Sequence, residues 1–406
     1  EPHVDANNRP GPGKDIGENS GNSRANVKVD RRAAILAGAA GLGALCLPSR
    51  DSAARQTQPH PYRRPFTNYE QLLNTLERRG HKLRVLGLAP DRSPLVAVRA
   101  GGDKLPAIFI SAGSHSTEHA GVAAAVELID RLKTRHQVWV LPTRDPIGLN
   151  GFRYTLSLAL NEVPELKTVQ DAEALLRKRG EVLLDDGETL LVQIGEYGYA
   201  NLGLYRKLEK GSKPLESLRG RRIYFPAGYD DVPGTGPLER AYTLIVTPDA
   251  EVLHLNRFHD TPWAPSEVRC ARQLMAEIQP ELTFDLHEHS GGGFYWMSAR
   301  RQRTEDLETW ERRLAAAGVR AVAATGAQLA PETYSPGSFF EKLEPGVFWL
   351  DATQRGEGLN LVDFAANRYG LGFTIETGMR GPFEKRVEQH LAVVQTAVEL
   401  FESRYA

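Results

Sequence analysis

Cysteine is almost missing from this chain. Cys46 and Cys270 are the only two in 406 residues, and neither belongs to a CxxC or zinc-finger spacing. Neither a disulfide framework nor a thiolate metal site is expected. The GxSxG nucleophile elbow, the P-loop and a complete GxGxxG are absent as well. Their absence removes the usual marks of an elbow-type serine hydrolase, a nucleoside triphosphatase and a dinucleotide enzyme. A charge excess is lacking too: the net charge is −1, so no nucleic-acid partner is expected. The apolar run at 33–47 is fifteen residues, short of the roughly 20 that span a bilayer, so no transmembrane helix is expected in the mature protein. What remains is ordinary for a globular protein, 41% hydrophobic and 25% charged, in a length that suits one large α/β domain or two smaller ones.

The first 66 residues do not read as part of the fold. Residues 1–30 are polar, without apolar period, and are expected to be disordered. Arg31-Arg32 precede the apolar run 33–47, Pro48 ends it, and Ser52-Ala53-Ala54 offers small residues for cleavage. Residues 31–54 therefore look like a twin-arginine export signal, which predicts a periplasmic or extracellular protein. Residues 55–66 read as a linker, and 67–406 as the folded catalytic part.

That part is organised around Pro106-Ala-Ile-Phe-Ile-Ser-Ala-Gly-Ser-His115-Ser-Thr-Glu118. Ala107–Ile110 reads as a buried strand, and Val122, Val126 and Ile129 as the apolar face of a helix over 117–132, with Ser116 or Thr117 as its cap. His115 and Glu118 thus fall where a strand turns into a helix, the edge at which open α/β sheets place ligands. Further strands are predicted at 83–88, 95–99 and 137–141, at 281–287 before His287-Glu288-His289, and at 370–376, ending at Glu376. Helices are predicted at 67–79, 170–179, 265–278, 304–317 and 382–403. The order implies an α/β fold, a single mixed, mostly parallel central sheet flanked by helices. The stretch of about 156–250, punctuated by Gly, Tyr and Pro, reads as an inserted subdomain, either a rim shaping substrate access or a structural embellishment. The core pattern is expected to resume at Ala250.

Three strand ends offer polar groups: His115/Glu118, His287 and Glu376. Two imidazoles and a carboxylate are the ligand set of many hydrolytic zinc sites, and a further, unbound carboxylate can move the water's proton. Asn256-Arg257 offers a bidentate grip for a substrate carboxylate. Arg153, with Arg240 behind it, is the candidate for an oxyanion. His289, two residues past His287, points the same way on a strand and competes as a ligand. Asp285 is a candidate partner for a ligating imidazole.

The ordered set His115-x-x-Glu118, Asp145-Pro-Ile-Gly148, Leu255-Asn256-Arg257, Asp285-Leu-His287 and Thr374-Ile-Glu376 resembles the zinc metallocarboxypeptidase family, including its cytosolic carboxypeptidase and aspartoacylase/succinylglutamate desuccinylase branches. The resemblance covers roughly 67–155 and 250–403. It implies one Zn2+ held by His115, Glu118 and His287, Glu376 as general base, Asn256 and Arg257 on the substrate's terminal carboxylate, and Arg153 on the oxyanion. The substrate implied is a peptide or an acylated amino acid with a free carboxylate. Two departures stand out. The family's Asn-Pro-Asp-Gly turn reads Asp145-Pro-Ile-Gly, and 352–357 lacks the Tyr that many carboxypeptidases carry ahead of the catalytic Glu. Besides a carboxypeptidase, an N-acyl amino acid amidohydrolase and a non-catalytic binding module remain readings of the same residues.

Overall fold

The computed structural model describes residues 66–201, 204, 208–227, 236, 238–299, 304–331, 333–334, 340–350 and 358–406. The expected disordered segment, the export signal, nearly all of the linker and the segment 352–357 lie outside them. Among the described residues no helix is long and apolar enough to cross a membrane.

Helix α1 (Tyr69–Arg78) begins where the Asn68 side chain accepts the Gln71 amide, and it buries Tyr69, Leu72 and Leu76. Strands β1 (Leu83–Leu88) and β2 (Pro94–Gly101) form a hairpin over the turn that contains Asp91 and Ser93. Then follow β3 (Lys104–Ala112), α2 (His119–Arg131), β4 (His136–Leu141), the single turn α3 (Pro146–Leu149), α4 (Phe152–Leu160) and α5 (Val169–Arg179). Strands β5 (Glu181–Asp185), β6 (Leu190–Ile194), β7 (Tyr197–Ala200), β8 (Arg222–Pro226), β9 (Ala241–Val246) and β10 (Val252–His254) come next. The chain continues through α6 (Ser266–Ile278), β11 (Leu282–His289), β12 (Tyr295–Ala299), α7 (Glu305–Ala324), β13 (Phe340–Glu344) and β14 (Val347–Leu350). It ends with α8 (Leu361–Arg368), β15 (Leu371–Gly378) and α9 (Phe383–Glu402).

Nine strands form the central sheet, in the order β1-β2-β4-β3-β11-β15-β12-β14-β13. The expectation of a mostly parallel sheet is corrected here: four of its pairings are parallel and four antiparallel. The middle run β4-β3-β11-β15 holds three of the parallel pairings, because α2, α6 and α8 precede β4, β11 and β15 and supply the crossovers that parallel pairing needs; the fourth is β12–β14. The hairpins β1–β2 and β13–β14 have room only for turns and are antiparallel. Side chains alternate across the sheet: Ile108 and Ile110 join the core under α2, α7 and α9, while Phe109 faces the core under α6 and α8.

A second sheet, β10-β9-β8-β7-β6-β5, is built within 181–254, inside the stretch expected to differ from the core. Its cores include Phe152, Leu156, Leu176, Leu190 and Val192 on one side and Leu215, Ile223, Phe225 and Leu244 on the other. Two sequence expectations shift. Val252–His254 is the edge strand of this second sheet, so the central sheet resumes only at Leu282. A short apolar run does not say which sheet it will pair with. Helix α7 runs to Ala324 rather than stopping near 317, carried through an Ala-rich segment with strong helix propensity.

Candidate metal centre

The loop after β3 turns sharply at Gly113, whose φ is +61° and where a Cβ would meet Thr143 Oγ1 at 2.4 Å. Only glycine fits both demands. The Arg144 and Asp145 amides donate to the Gly113 carbonyl, stitching the loops after β3 and β4 together. The Glu118 amide donates to His115 O at 3.1 Å and brings the two side chains onto one side. Helix α2 starts at His119, with Glu118 in the cap position; neither Ser116 nor Thr117 caps it, contrary to expectation. The Ala120 amide is instead met by the carboxylate of Glu288, 2.8 Å away on β11. That carboxylate also takes Thr377 Oγ1 and the buried Arg386 guanidinium, so Glu288 ties α2, β11, β15 and α9 together.

Parallel pairing sets β11 beside β3 and β15 beside β11, with Glu376 opposite His287 in register. Three side chains thereby converge. His115 Nδ1 is 2.6 Å from Glu118 Oε1, and His287 Nδ1 is 2.7 Å from Glu118 Oε2. One ligand atom from each of the three lies within 4.8 Å of the others. All three residues are buried, at 7%, 6% and 2% exposure.

The far nitrogens of both imidazoles are engaged. His287 Nε2 is 2.8 Å from Asp285 Oδ2, and the same oxygen is 2.6 Å from the buried guanidinium of Arg144. Arg144 also donates to Asn256 Oδ1 at 3.1 Å and lies 3.2 Å from His259 Nε2. His115 Nε2 is 2.8 Å from His254 Nδ1, and the His115 ring stacks on Tyr242 at 5.1 Å. A histidine whose Nε2 carries the proton presents a lone pair on Nδ1. The two Nδ1 atoms and the Glu118 carboxylate therefore form a convergent donor set of the composition that suits zinc.

The electrostatics agree with a cation at that point. Burial works to raise the Glu118 pKa, but His115 and His287 pull it down to about 2. Burial works against a charged His287, yet Asp285 and Glu118 hold its pKa well above the ordinary value. Burial lowers that of His115, against the pull of Glu118. Glu376 is raised to about 8, first by burial and then by the acids Glu118, Asp285 and Glu288, with His287 opposing. A dication here would take the place of the His287 proton and lower Glu376 again.

Glu376 is half-buried, and its Oε2 is out of solvent reach without a hydrogen-bond partner among the described residues. Tyr295 stands opposite it on β12. Tyr334 and His289 pack on the Tyr295 ring at 5.4 and 4.7 Å. Nothing local in the sequence connects Tyr295 or Tyr334 to Glu376.

The other sequence candidates are placed as follows. Asn256 and Arg257 lie in the buried turn Leu255–Arg257. The Asn256 side chain is taken up inside the protein, accepting from Arg144 and the Leu361 amide and donating to Asp285. Arg257 donates to Asn256 O, and its charge is close enough to His115 to disfavour a proton there. Arg153 is exposed on α4. Arg240 is buried and donates to Thr67 O, Glu239 O and His119 Nδ1. His289 meets Gly293 O and the Gly291 amide with its two nitrogens and is not a member of the group His115–Glu118–His287. Cys270 is buried, and burial raises its thiol pKa. No local sequence pattern marks Arg144, His254 or Tyr242 as part of the site. Only Asp285 advertised its role, by its spacing to His287.

No family model matches the chain, and no curated protein matches it. Solved structures do. A metallo-carboxypeptidase from Pseudomonas aeruginosa, solved with (2-guanidinoethylmercapto)succinic acid, is 16% identical with a TM-score of 0.46, over 84% of this chain and 70% of that one. A metallo-carboxypeptidase from Burkholderia cenocepacia is 11% identical with a TM-score of 0.43, over 83% and 69%. Thrombin activatable fibrinolysis inhibitor is 11% identical with a TM-score of 0.44, over 83% and 77%. Identities and TM-scores this low mark a distant likeness, and the chemistry of the site rests on its own geometry. The chain is similar to metallo-carboxypeptidases of known structure, and it carries a buried His-Glu-His group able to hold a metal ion.

Proposed function

We propose that this chain is a zinc-dependent hydrolase that removes the C-terminal residue of a peptide. The observation that carries this reading is the convergence of His115 Nδ1, His287 Nδ1 and the Glu118 carboxylate, with Glu376 in register beside His287. Zinc held there would lower the pKa of water to about 7 and polarise a substrate carbonyl. Glu376 stands beside that point without being one of the three ligands. Its free oxygen accepts the water's proton and returns it to the leaving amine. The strands that carry His287 and Glu376 are hydrogen-bonded neighbours, so the acid is held at fixed height relative to the ligands. Arg257, buried next to His115, grips the substrate's terminal carboxylate, while Asn256 fixes Arg144 and Asp285. Arg153, exposed on α4, is the residue the family resemblance offers for the oxyanion.

Metal analysis combined with digestion of a peptide library tests the reading. Wild type is expected to hold one zinc per chain and to release C-terminal amino acids in a chelator-sensitive way. Glu376→Gln is expected to keep the zinc and lose about 10²–10⁴-fold in kcat. A protein without zinc, or a Glu376→Gln variant as active as wild type, contradicts it. Release of acyl groups from small acylated amino acids, with peptides untouched, would transfer the same chemistry to an amidohydrolase. We also propose export through the Arg31-Arg32 leader; replacement of both by Lys should abolish it, as read by cell fractionation.

A further inference from the structure

The two imidazoles of the centre are held from behind in different ways. His287 leans on a carboxylate, Asp285, itself paired with Arg144. His115 leans on another imidazole: its Nε2 is 2.8 Å from His254 Nδ1. His254 ends β10, the edge strand of the second sheet, and is 5% exposed. The neighbouring strand β9 adds two more contacts to the same loop. Tyr242 stacks on the His115 ring with planes 13° apart, and Ser116 Oγ donates to Ala241 O. The second sheet therefore forms the wall against which the first zinc ligand is set.

We propose that His254 is a positioning residue that fixes the tautomer and orientation of His115, and that the second sheet is in this way a required part of the metal centre. The proposal rests on the metal reading above. With Nδ1 of His115 turned to the ion, its proton sits on Nε2 and is donated to the Nδ1 lone pair of His254. Without an acceptor there, the buried Nε2–H is left unsatisfied, and the ring is free to turn or to move its proton to the ligating nitrogen. Groups behind a ligating histidine are worth about 10–100-fold in metal affinity. A neutral imidazole is a weaker acceptor than a carboxylate, so the His115 side is the less basic half of the pair.

Two replacements of similar size separate the role from mere packing. Asn keeps a polar oxygen near the position of the imidazole Nδ1; Leu fills the space without an acceptor. Wild type, His254→Leu, His254→Asn and His254→Asp would be compared in the full chain. The readouts are Zn2+ affinity by chelator competition, the Co2+ visible spectrum and thermal unfolding of the apo-protein. His254→Leu is expected to bind zinc about 10–100-fold more weakly, with an altered cobalt spectrum. His254→Asn should recover most of that loss, and His254→Asp should bind at least as tightly as wild type. If His254→Leu and His254→Asn bind zinc equally, the positioning role is overturned while the metal reading stands. If wild type binds neither zinc nor cobalt, the metal reading fails and takes this proposal with it.

Discussion

The two halves of the metal centre solve one problem by different means. On the His287 side the acceptor, Asp285, and its buried counter-charge, Arg144, both come from the central sheet and its loops. On the His115 side the partner is the imidazole of His254, delivered by a different sheet. The first arrangement is electrostatically strong and leaves a buried ion pair that must stay complete. The second is weaker but depends on how two sheets meet. The difference teaches that a ligand set on one sheet can depend on another sheet for its aim.

Breaking the His287 side at its base should have the largest effect. Arg144→Ala would take the guanidinium from the buried Asp285 and leave His287 as its charged neighbour; removing one partner of a buried pair costs up to about 3–5 kcal/mol. Denaturant unfolding of the apo-protein checks this; a loss under about 1 kcal/mol would place the balancing charge elsewhere. Asp285→Asn is gentler. It should weaken zinc binding about 10–100-fold, and by more than His254→Leu does, because a charged acceptor is lost. Equal effects from the two would erase the asymmetry.

Acid should act on the same side. Because Asp285 and Glu118 hold the His287 proton well above its ordinary pKa, the ion must displace it on binding. Zinc affinity should then fall by about tenfold per pH unit as pH drops wherever one proton is exchanged. A flat profile between pH 8 and 6 would mean that His287 is already neutral. Stability of the apo-protein has its own acid limb. His390 is buried, and its pKa is lowered to about 3 by burial and then by Arg386. The unfolded chain therefore binds more protons below about pH 6.5, so stability is full above that pH and is lost as pH falls, at most by about 1.4 kcal/mol per unit from this group. His390→Phe should flatten that limb in urea titrations. The smallest effect is expected at Arg153, exposed on α4: Arg153→Ala should leave zinc affinity within about twofold. A fall in kcat without a change in affinity would assign it to the oxyanion.

What could be read from the sequence follows the same division. The strand before Gly113, the helix from His119 and the strands carrying His287 and Glu376 have strong period and clear punctuation, and their ends fell within a few residues of the structure. His115, Glu118 and His287 were legible because chain-adjacent spacing places them at strand ends. Asp285 was legible because it lies two residues from His287 on one strand face. His254 and Tyr242 were not, since their approach to His115 depends on how β9 and β10 pair and on how the second sheet meets the first. No local pattern encodes that meeting. Arg144 was hidden for a related reason: its partners Asn256 and Asp285 are 112 and 141 residues away in the chain. The parallel bias expected of the central sheet failed outside its middle run: the hairpins β1–β2 and β13–β14 are too short for a crossover, and β2–β4 and β12–β15 pair antiparallel as well.

The most direct measurement is a crystal structure of zinc-loaded Glu376→Gln with the anomalous signal of the metal. The account predicts one strong peak at bonding distance from His115 Nδ1, His287 Nδ1 and the Glu118 carboxylate, with residue 376 beside it and outside the coordination. A peak elsewhere in the protein, or none at saturating zinc, would contradict it.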